Sequence, residues 1–489
     1  DVTNVDSVGL ITARSGIRIG AGQSVSAVSG IVTYYGDGSQ LTGVESGVGN
    51  FVASGTIPNG ATVVINTDGT VGIVTLTGSA DPSAGTPVVF ESAANTNIAT
   101  AYDSTNGKVV IAYRDEGNSN YATAIVGTVS GSSITFGAAN TFYSAASASF
   151  ALAYDSTNEK VVVAWGNSAG PNGRAAVGNV SGTSIVFGST EQFNASTTTY
   201  IKVVYDSTND KVVITYRDDG NSDHGTAIVG TVSGANNISF GSEVVFNSAN
   251  TYSGAPVYDS TNGKVVIAYT DAGNSSYGTA IVGTVSGTSI SFGSEVVFNS
   301  ANTTYTSATF DSTNGKVVIV YNDSGNSNYG TAIVGTVSGT SISFGTAVVF
   351  ETANVVYISA TFDSTNGKVV IAYNDVSNSS YGTAIVGTVS GTSISFGTAV
   401  VFESGTTNHS SATYDSTNKK VVIAYSDGSN NNYGTAVVLS TTSATTNLTA
   451  ENYIGIAAEA ISNTATGKIN ILGGVNTGQT GLTTAQTYY

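Results

Sequence analysis

Between about residue 72 and residue 439, short runs of alternating apolar and polar residues recur between clusters of Gly, Asn, Asp and Ser. The alternation has a period of two, which marks half-buried strands rather than helices. In one representative stretch, residues 357–362 alternate as a strand, and 363–367 read Asp-Ser-Thr-Asn-Gly, a turn. Residues 368–373, Lys-Val-Val-Ile-Ala-Tyr, give a second strand. A polar loop at 374–380 leads to a third strand over 381–389, and 393–402 supplies a fourth that is interrupted at Gly397. Four short antiparallel strands in about 52 residues match one blade of a propeller.

The turn is part of a hexamer, Asp-Ser-Thr-Asn-X-Lys, that begins at Asp103, Asp155, Asp206, Asp259, Asp311, Asp363 and Asp415, at intervals of 52, 51, 53, 52, 52 and 52. Seven units follow. A single blade cannot bury both its faces, so the units must stack on one another. The seventh unit runs through its third strand at 433–439 and leaves the pattern before a fourth appears. The missing end stands ahead of the first unit, at 72–80 and at 85–90, the latter reading Gly-Thr-Pro-Val-Val-Phe. An N-terminal segment that completes the last blade closes a ring and leaves no sheet edge unpaired. An open solenoid gains nothing from such a permutation.

The expected fold class is therefore all-β: a seven-bladed β-propeller of four-stranded blades over residues 72–439, closed by an N-terminal strand, with small β-rich flanking modules at 1–71 and 440–489. A β-solenoid and stacked sandwiches are the alternatives the repeat leaves. Both flanks leave such a ring at the same blade, where they can form one stalk or interface module. Their short apolar segments at 10–19 and 454–475 are small for separate cores, which predicts a homo-oligomer with its contacts outside the ring.

Composition restricts the chemistry. There is no Cys and no Met in 489 residues, so disulfides, a thiolate nucleophile and Cys-based metal sites are excluded. The absence of Met also predicts that residue 1 is not an ordinary translation start, and that the chain is a processed product or part of something longer. With 32 acidic against 15 basic residues the net charge is −17, which repels a phosphate backbone and argues against nucleic acid as a direct partner. No stretch approaches the ~18 continuous apolar residues of a membrane helix, so no membrane insertion is expected.

Most polar residues of the repeat read as architecture. Each turn Asp can accept backbone N–H bonds from residues two or three positions on. Twelve residues later stand Asp115, Asp218, Asp271, Asp323, Asp375 and Asp427, with Asn167 in the second unit. These read first as turn caps. Ca²⁺ is the weaker reading, because the dense alternation of carboxylates that makes a Ca²⁺ loop specific is missing; no other metal or cofactor is implied. Tyr113, Tyr216, Tyr269, Tyr321, Tyr373 and Tyr425, with Trp165 in the same place, end the second strands and suit packing between blades.

An enzyme is not expected. His224 and His409 are the only histidines and lie in different units, away from any zinc or Ser-His-Asp pattern. No carboxylate pair suited to glycoside hydrolysis stands out from the periodic background. Ligand contacts should instead favour residues that break the repeat, since recognition needs one local arrangement and ring building needs seven. The candidates are Arg114, Trp165, Arg174, Arg217, Asp219, His224 and His409: the arginines for an acidic glycan, and Trp165, if exposed, for stacking on a sugar.

The flanks carry two further motifs, Gly-Asp-Gly-Ser-Gln-Leu-Thr-Gly at 36–43 and Gly-Leu-Thr-Thr-Ala-Gln-Thr-Tyr-Tyr at 481–489. They resemble pieces of the tail-fibre and virion appendage proteins of marine tailed bacteriophages, including cyanophages, and the resemblance covers roughly 100 flank residues. It implies a non-enzymatic virion tail-fibre or receptor-binding protein, commonly a homotrimer joined to other virion proteins, that attaches to a host surface glycan or protein. The alternative is a structural capsid-decoration protein, or an extracellular filament or adhesin at a cell surface.

Overall fold

In each unit the turn Asp builds its hairpin with its own carboxylate. Asp311 Oδ1 accepts from the backbone N–H of Thr313 (2.9 Å) and Asn314 (3.0 Å), while Oδ2 accepts from Asn314 Nδ2 (2.8 Å). The same three bonds recur at Asp103, Asp155, Asp206, Asp259, Asp363 and Asp415. The turn closes through a left-handed residue, Gly315 at φ 61°, and Glu159, Asp210 and Lys419 take the same conformation where glycine is missing.

The computed structural model describes residues 48–74, 76–79, 82–168, 170, 172–234, 236–441, 443–446 and 453–471. They belong to two compact units, Leu76–Thr445 and a terminal unit made from both chain ends. The segments at 10–19, 36–43 and 481–489 lie outside the described residues, as does the end of 454–475.

The larger unit is a β-propeller, with seven four-stranded sheets among the described residues. In the fifth blade, the end of Val296–Asp311 pairs with Lys316–Asp323, which pairs with Tyr329–Ser338. The outer edge of Tyr329–Ser338 is then covered by two pieces, Ser341–Phe344 and the start of Val348–Asp363. The sequence pattern suggested a separate fourth strand and a separate following first strand. Instead, one 16-residue strand serves as the outer strand of one blade and, past a register shift, as the inner strand of the next. Gly345 separates the two outer pieces, and a Cβ there would come 1.9 Å from the carbonyl oxygen of Thr392 in the following blade. Adjacent blades approach too closely at that point for any side chain.

The second strand of each blade is buried on both faces, which explains its continuous apolar run. Val317, Val318, Ile319, Val320 and Tyr321 are all fully or almost fully enclosed. Their side chains enter clusters shared between neighbouring blades, such as the one joining Val266 and Ala268 to Val317 and Ile319.

The ring closes as the permuted ends require. Tyr433–Ser440 pairs with Ser83–Ala84 and with the start of Val88–Asp103. Val422, Ala424, Ala436 and Val438 of the last blade share one cluster with Val109, Ile111 and Tyr113 of the first. The closing segment starts later than the sequence suggested, because Val71–Ile73 pairs with Thr62–Ile65 of the terminal unit.

The terminal unit holds a five-stranded sheet in the order Val48–Val52, Thr466–Asn470, Tyr453–Ala457, Thr62–Ile65, Val71–Ile73. N-terminal and C-terminal segments thus interleave, and they share a small core of Ala53, Ile57, Val63, Val71, Ala457, Ile461 and Ile469. Neither flank has to form a core by itself.

Candidate functional site

Each inner strand is broken by a bulge six residues before the turn Asp. There Asn97, Ser149, Tyr200, Ser253, Tyr305, Tyr357 and His409 all take positive φ, between 50° and 56°. None is glycine, and a left-handed conformation costs such residues about 1 kcal/mol or more each. The bulge leaves two residues out of the ladder, as between Thr304 and Ser307, and re-aims their side chains.

These residues line a cavity of about 830 Å³ to which all seven inner strands contribute, so it lies on the propeller axis. Its wall is aromatic on one side. Tyr200 meets Tyr252 at 5.7 Å between ring centroids, Tyr305 meets Tyr357 at 5.6 Å, and Tyr357 meets His409 at 4.9 Å. Tyr200 is 41% exposed and Tyr305 39%, so both offer ring surface to a ligand. Arg217 lies over Tyr200 at 5.2 Å and Tyr252 at 5.4 Å, and is held there by Asp219 Oδ1 at 2.8 Å from its Nε. Burial alone would lower the Arg217 pKa, but Asp219 and Asp223 outweigh it and keep the guanidinium firmly charged. Burial pulls the His409 imidazole below its usual value, against a weaker pull from the Glu116 carboxylate. Burial also raises the Tyr305 phenol, helped by Tyr357 and Tyr200.

A second, smaller cavity of about 220 Å³ continues along the axis toward the turns. Four residues before the turn Asp, its wall carries Ala99, Ala151, Ala255, Ser307, Ser359 and Ser411, and in the third blade Lys202. The Ser hydroxyls are used between blades, Ser359 Oγ accepting from the Ala412 N–H at 2.9 Å and Ser411 Oγ from the Thr100 N–H at 3.1 Å. The Lys202 ammonium has no hydrogen-bond or ion-pair partner among the described residues. Its side chain is exposed to the lumen, and the surrounding strands lower its pKa by desolvation. Among the described residues no Asp or Glu lines either cavity. Paired-carboxylate chemistry therefore has no groups in this site, whereas aromatic faces, hydroxyls and cations suit holding a polar ligand.

The residues singled out by sequence are dispersed. Arg217 and His409 line the axial cavity, and Asp219 positions Arg217. Trp165 is fully buried, packed against Phe142 at 5.2 Å and Tyr143 at 5.4 Å, so it cannot stack on a sugar. Arg174 lies over Tyr143 at 5.5 Å, with its Nε donating to Asn172 Oδ1. Arg114 donates to Asn120 Oδ1 at 2.9 Å, and His224 begins the third strand of its blade opposite Asp218; neither lines the cavity. The six carboxylates twelve residues past the turn Asp cap the following loops, as where Asp323 Oδ1 accepts from the Gly325 N–H. The other repeated tyrosines are buried, and Tyr113, Tyr216, Tyr269, Tyr373 and Tyr425 each donate to a glutamate.

Sequence reasoning missed Tyr200, Tyr252, Tyr305, Tyr357 and Lys202. The signal was present for Lys202: within the propeller every other Lys belongs to a turn, and the sister blades carry Ala or Ser in its place.

No protein-family model matches the chain, and no curated protein matches it. Among solved structures it is similar to the lectin BP39L from Burkholderia pseudomallei, with a TM-score of 0.50 at 10% identity over 73% of this chain and 99% of that one. Sqt1 from Chaetomium thermophilum gives 0.43 at 10% identity over 71% and 85%, and AofleA from Arthrobotrys oligospora 0.41 at 11% over 70% and 96%. At such identities the likeness to the lectin is one of fold.

Proposed function

We propose that this protein is a non-enzymatic recognition protein that holds a saccharide of a host cell surface in the axial cup of its propeller, as the receptor-binding part of a virion tail fibre or related appendage. The observation that carries the reading is the cup itself: exposed Tyr200 and Tyr305, with Tyr357 and His409, stand at the strained bulge position where the blades differ in side chain, and Tyr252 lines the cup beside them. Aromatic faces bordered by hydroxyls are what a sugar ring requires, with C–H surfaces against the rings and O–H groups toward polar edges. The appendage setting rests on the flank motifs. Association of copies through the terminal unit is part of the proposal, supported by the exposed side chains of Val52, Ile65, Tyr453 and Ile471.

The test is a glycan array probed with the full chain and with a Tyr200→Ala, Tyr305→Ala double variant. The reading expects selective binding by the parent and its loss in a variant of unchanged melting temperature. Binding that survives the double substitution removes the cup from consideration. Immunogold labelling of native particles tests the appendage setting, and light scattering tests the oligomer.

A further inference from the structure

The throat between the two cavities gathers polar groups that the fold does not use. Lys202, Thr306 and Ser410 line both cavities, and the Thr306 and Ser410 hydroxyls, like the Lys202 ammonium, have no partner among the described residues. The Thr306 and Ser410 oxygens are sealed within the wall, whereas the Lys202 side chain is exposed to the lumen. The six sister blades carry Ala or Ser at its position, so the ring does not need this cation. Among the described residues no carboxylate lines the cavities to neutralise it, although the chain as a whole carries a net charge of −17. Arg217 differs, being already paired with Asp219.

We propose that the axial site selects anionic saccharides, with a carboxylate or sulfate group of the sugar seated on the Lys202 ammonium, and the sugar ring against the tyrosines. This rests on the saccharide-binding reading of the cup and adds its chemical class. An acidic group fits because it supplies both an acceptor and a compensating charge to the unpaired ammonium, and charge-assisted hydrogen bonds are stronger than neutral ones. A neutral hydroxyl can accept a hydrogen bond from the ammonium but leaves its charge uncompensated. The general acidity of the surface acts in the opposite sense, holding off polyanions, so the anion must be small enough to enter the cup.

The experiment uses the full chain and three ligands that share one ring: methyl galactoside, methyl galacturonate glycoside and methyl galactoside 6-sulfate, titrated by calorimetry or ligand-observed NMR. The expected result is that at least one anionic ligand binds about tenfold or more tightly than the neutral one. Lys202→Ser, which copies the sister blades, should erase that preference, and Lys202→Arg should retain most of it. The carboxylate and sulfate arms distinguish the two sources of charge. Neutral and anionic sugars that bind equally in the parent, or a preference that survives Lys202→Ser, overturns the inference while leaving the cup intact as a sugar site. Absence of binding by any of the three, together with failure of every glycan on the array, instead overturns the underlying reading and this inference with it.

Discussion

Tyr102 and Thr417 stand 315 positions apart in the sequence, and the Tyr102 hydroxyl donates to Thr417 Oγ1 at 2.6 Å. The same bond joins Tyr154 to Thr105, Tyr205 to Thr157 and Tyr414 to Thr365, each at 2.7 Å between consecutive blades. The seam between last and first blade is therefore built like the other seams that carry a tyrosine at this position. Phe310 and Phe362 occupy the tyrosine position in two blades without this bond. Tyr102→Phe should accordingly cost only about 0.5–1.5 kcal/mol, the net worth of an ordinary hydrogen bond. Chemical denaturation should show a small shift in midpoint with an unchanged slope; ring opening, seen as a second transition, would show that the closure depends on this hydroxyl.

Trp165 leads to the opposite expectation. It fills the position of the buried tyrosines, and Phe142 and Tyr143 pack against it. Trp165→Ala should destabilise by about 3–5 kcal/mol through the cavity it leaves. Glycan binding per folded molecule should be unchanged, because the residue is not part of the axial cup. A folded variant that loses binding would return Trp165 to the site.

The repeat made the architecture legible, because Asp-Ser-Thr-Asn specifies its turn through local hydrogen bonds that seven copies reproduce. Closure was legible for the same reason, as a deficit after residue 439 matched by a surplus before Phe90. The fused 16-residue strands were not, since the break at Gly345 or Gly397 looks like a strand end when it is a point of close approach between blades. The axial site was hidden more deeply. Its left-handed bulges fall on Asn, Ser, Tyr and His, without the glycine that usually signals positive φ, and burial of Trp165 depends on neighbours from distant segments. Lys202 and the tyrosines depart from the repeat within strands, where the alternating pattern makes a changed side chain read as one more strand position.

Acid should weaken the ring through its buried turn carboxylates, and Asp363 offers the clearest reading. Burial by itself would raise its pKa, but hydrogen bonds from Thr441, Asn366 and Tyr414 outweigh this and hold it below the ordinary carboxylate value of 3.8. A carboxyl with a lowered folded pKa contributes stability above the unfolded value and loses it as pH falls through the folded one. Asp363→Asn should thus cost about 1–3 kcal/mol near neutral pH, and the gap to the parent should close as pH drops below the ordinary carboxylate range. Melting curves across that range test the sign. A gap that widens in acid would mean that the folded carboxyl is held above its unfolded value.

Lys202 ties the proposed specificity to a stability cost. Desolvation lowers its folded pKa below the ordinary lysine value of 10.5, so at neutral pH the folded state carries an ammonium that the unfolded chain would hydrate better. A lowered folded pKa means that the unfolded state binds more protons between the two values, and stability rises with pH across that window. Because the Lys202 side chain is exposed to the lumen and solvent screens most of this cost, Lys202→Ser, which installs the residue found at Ser307, Ser359 and Ser411, should raise the melting temperature at neutral pH only slightly. The advantage of the variant should shrink as pH climbs through the lowered lysine value toward the ordinary one, where the parent sheds the same proton. Galacturonate or galactose 6-sulfate, whichever binds, should narrow the gap from the other side by stabilising only the parent. Differential scanning fluorimetry of both proteins, with and without ligand, at neutral and alkaline pH measures all three effects; a variant less stable than the parent at neutral pH without ligand would mean that Lys202 is already paired in the folded protein.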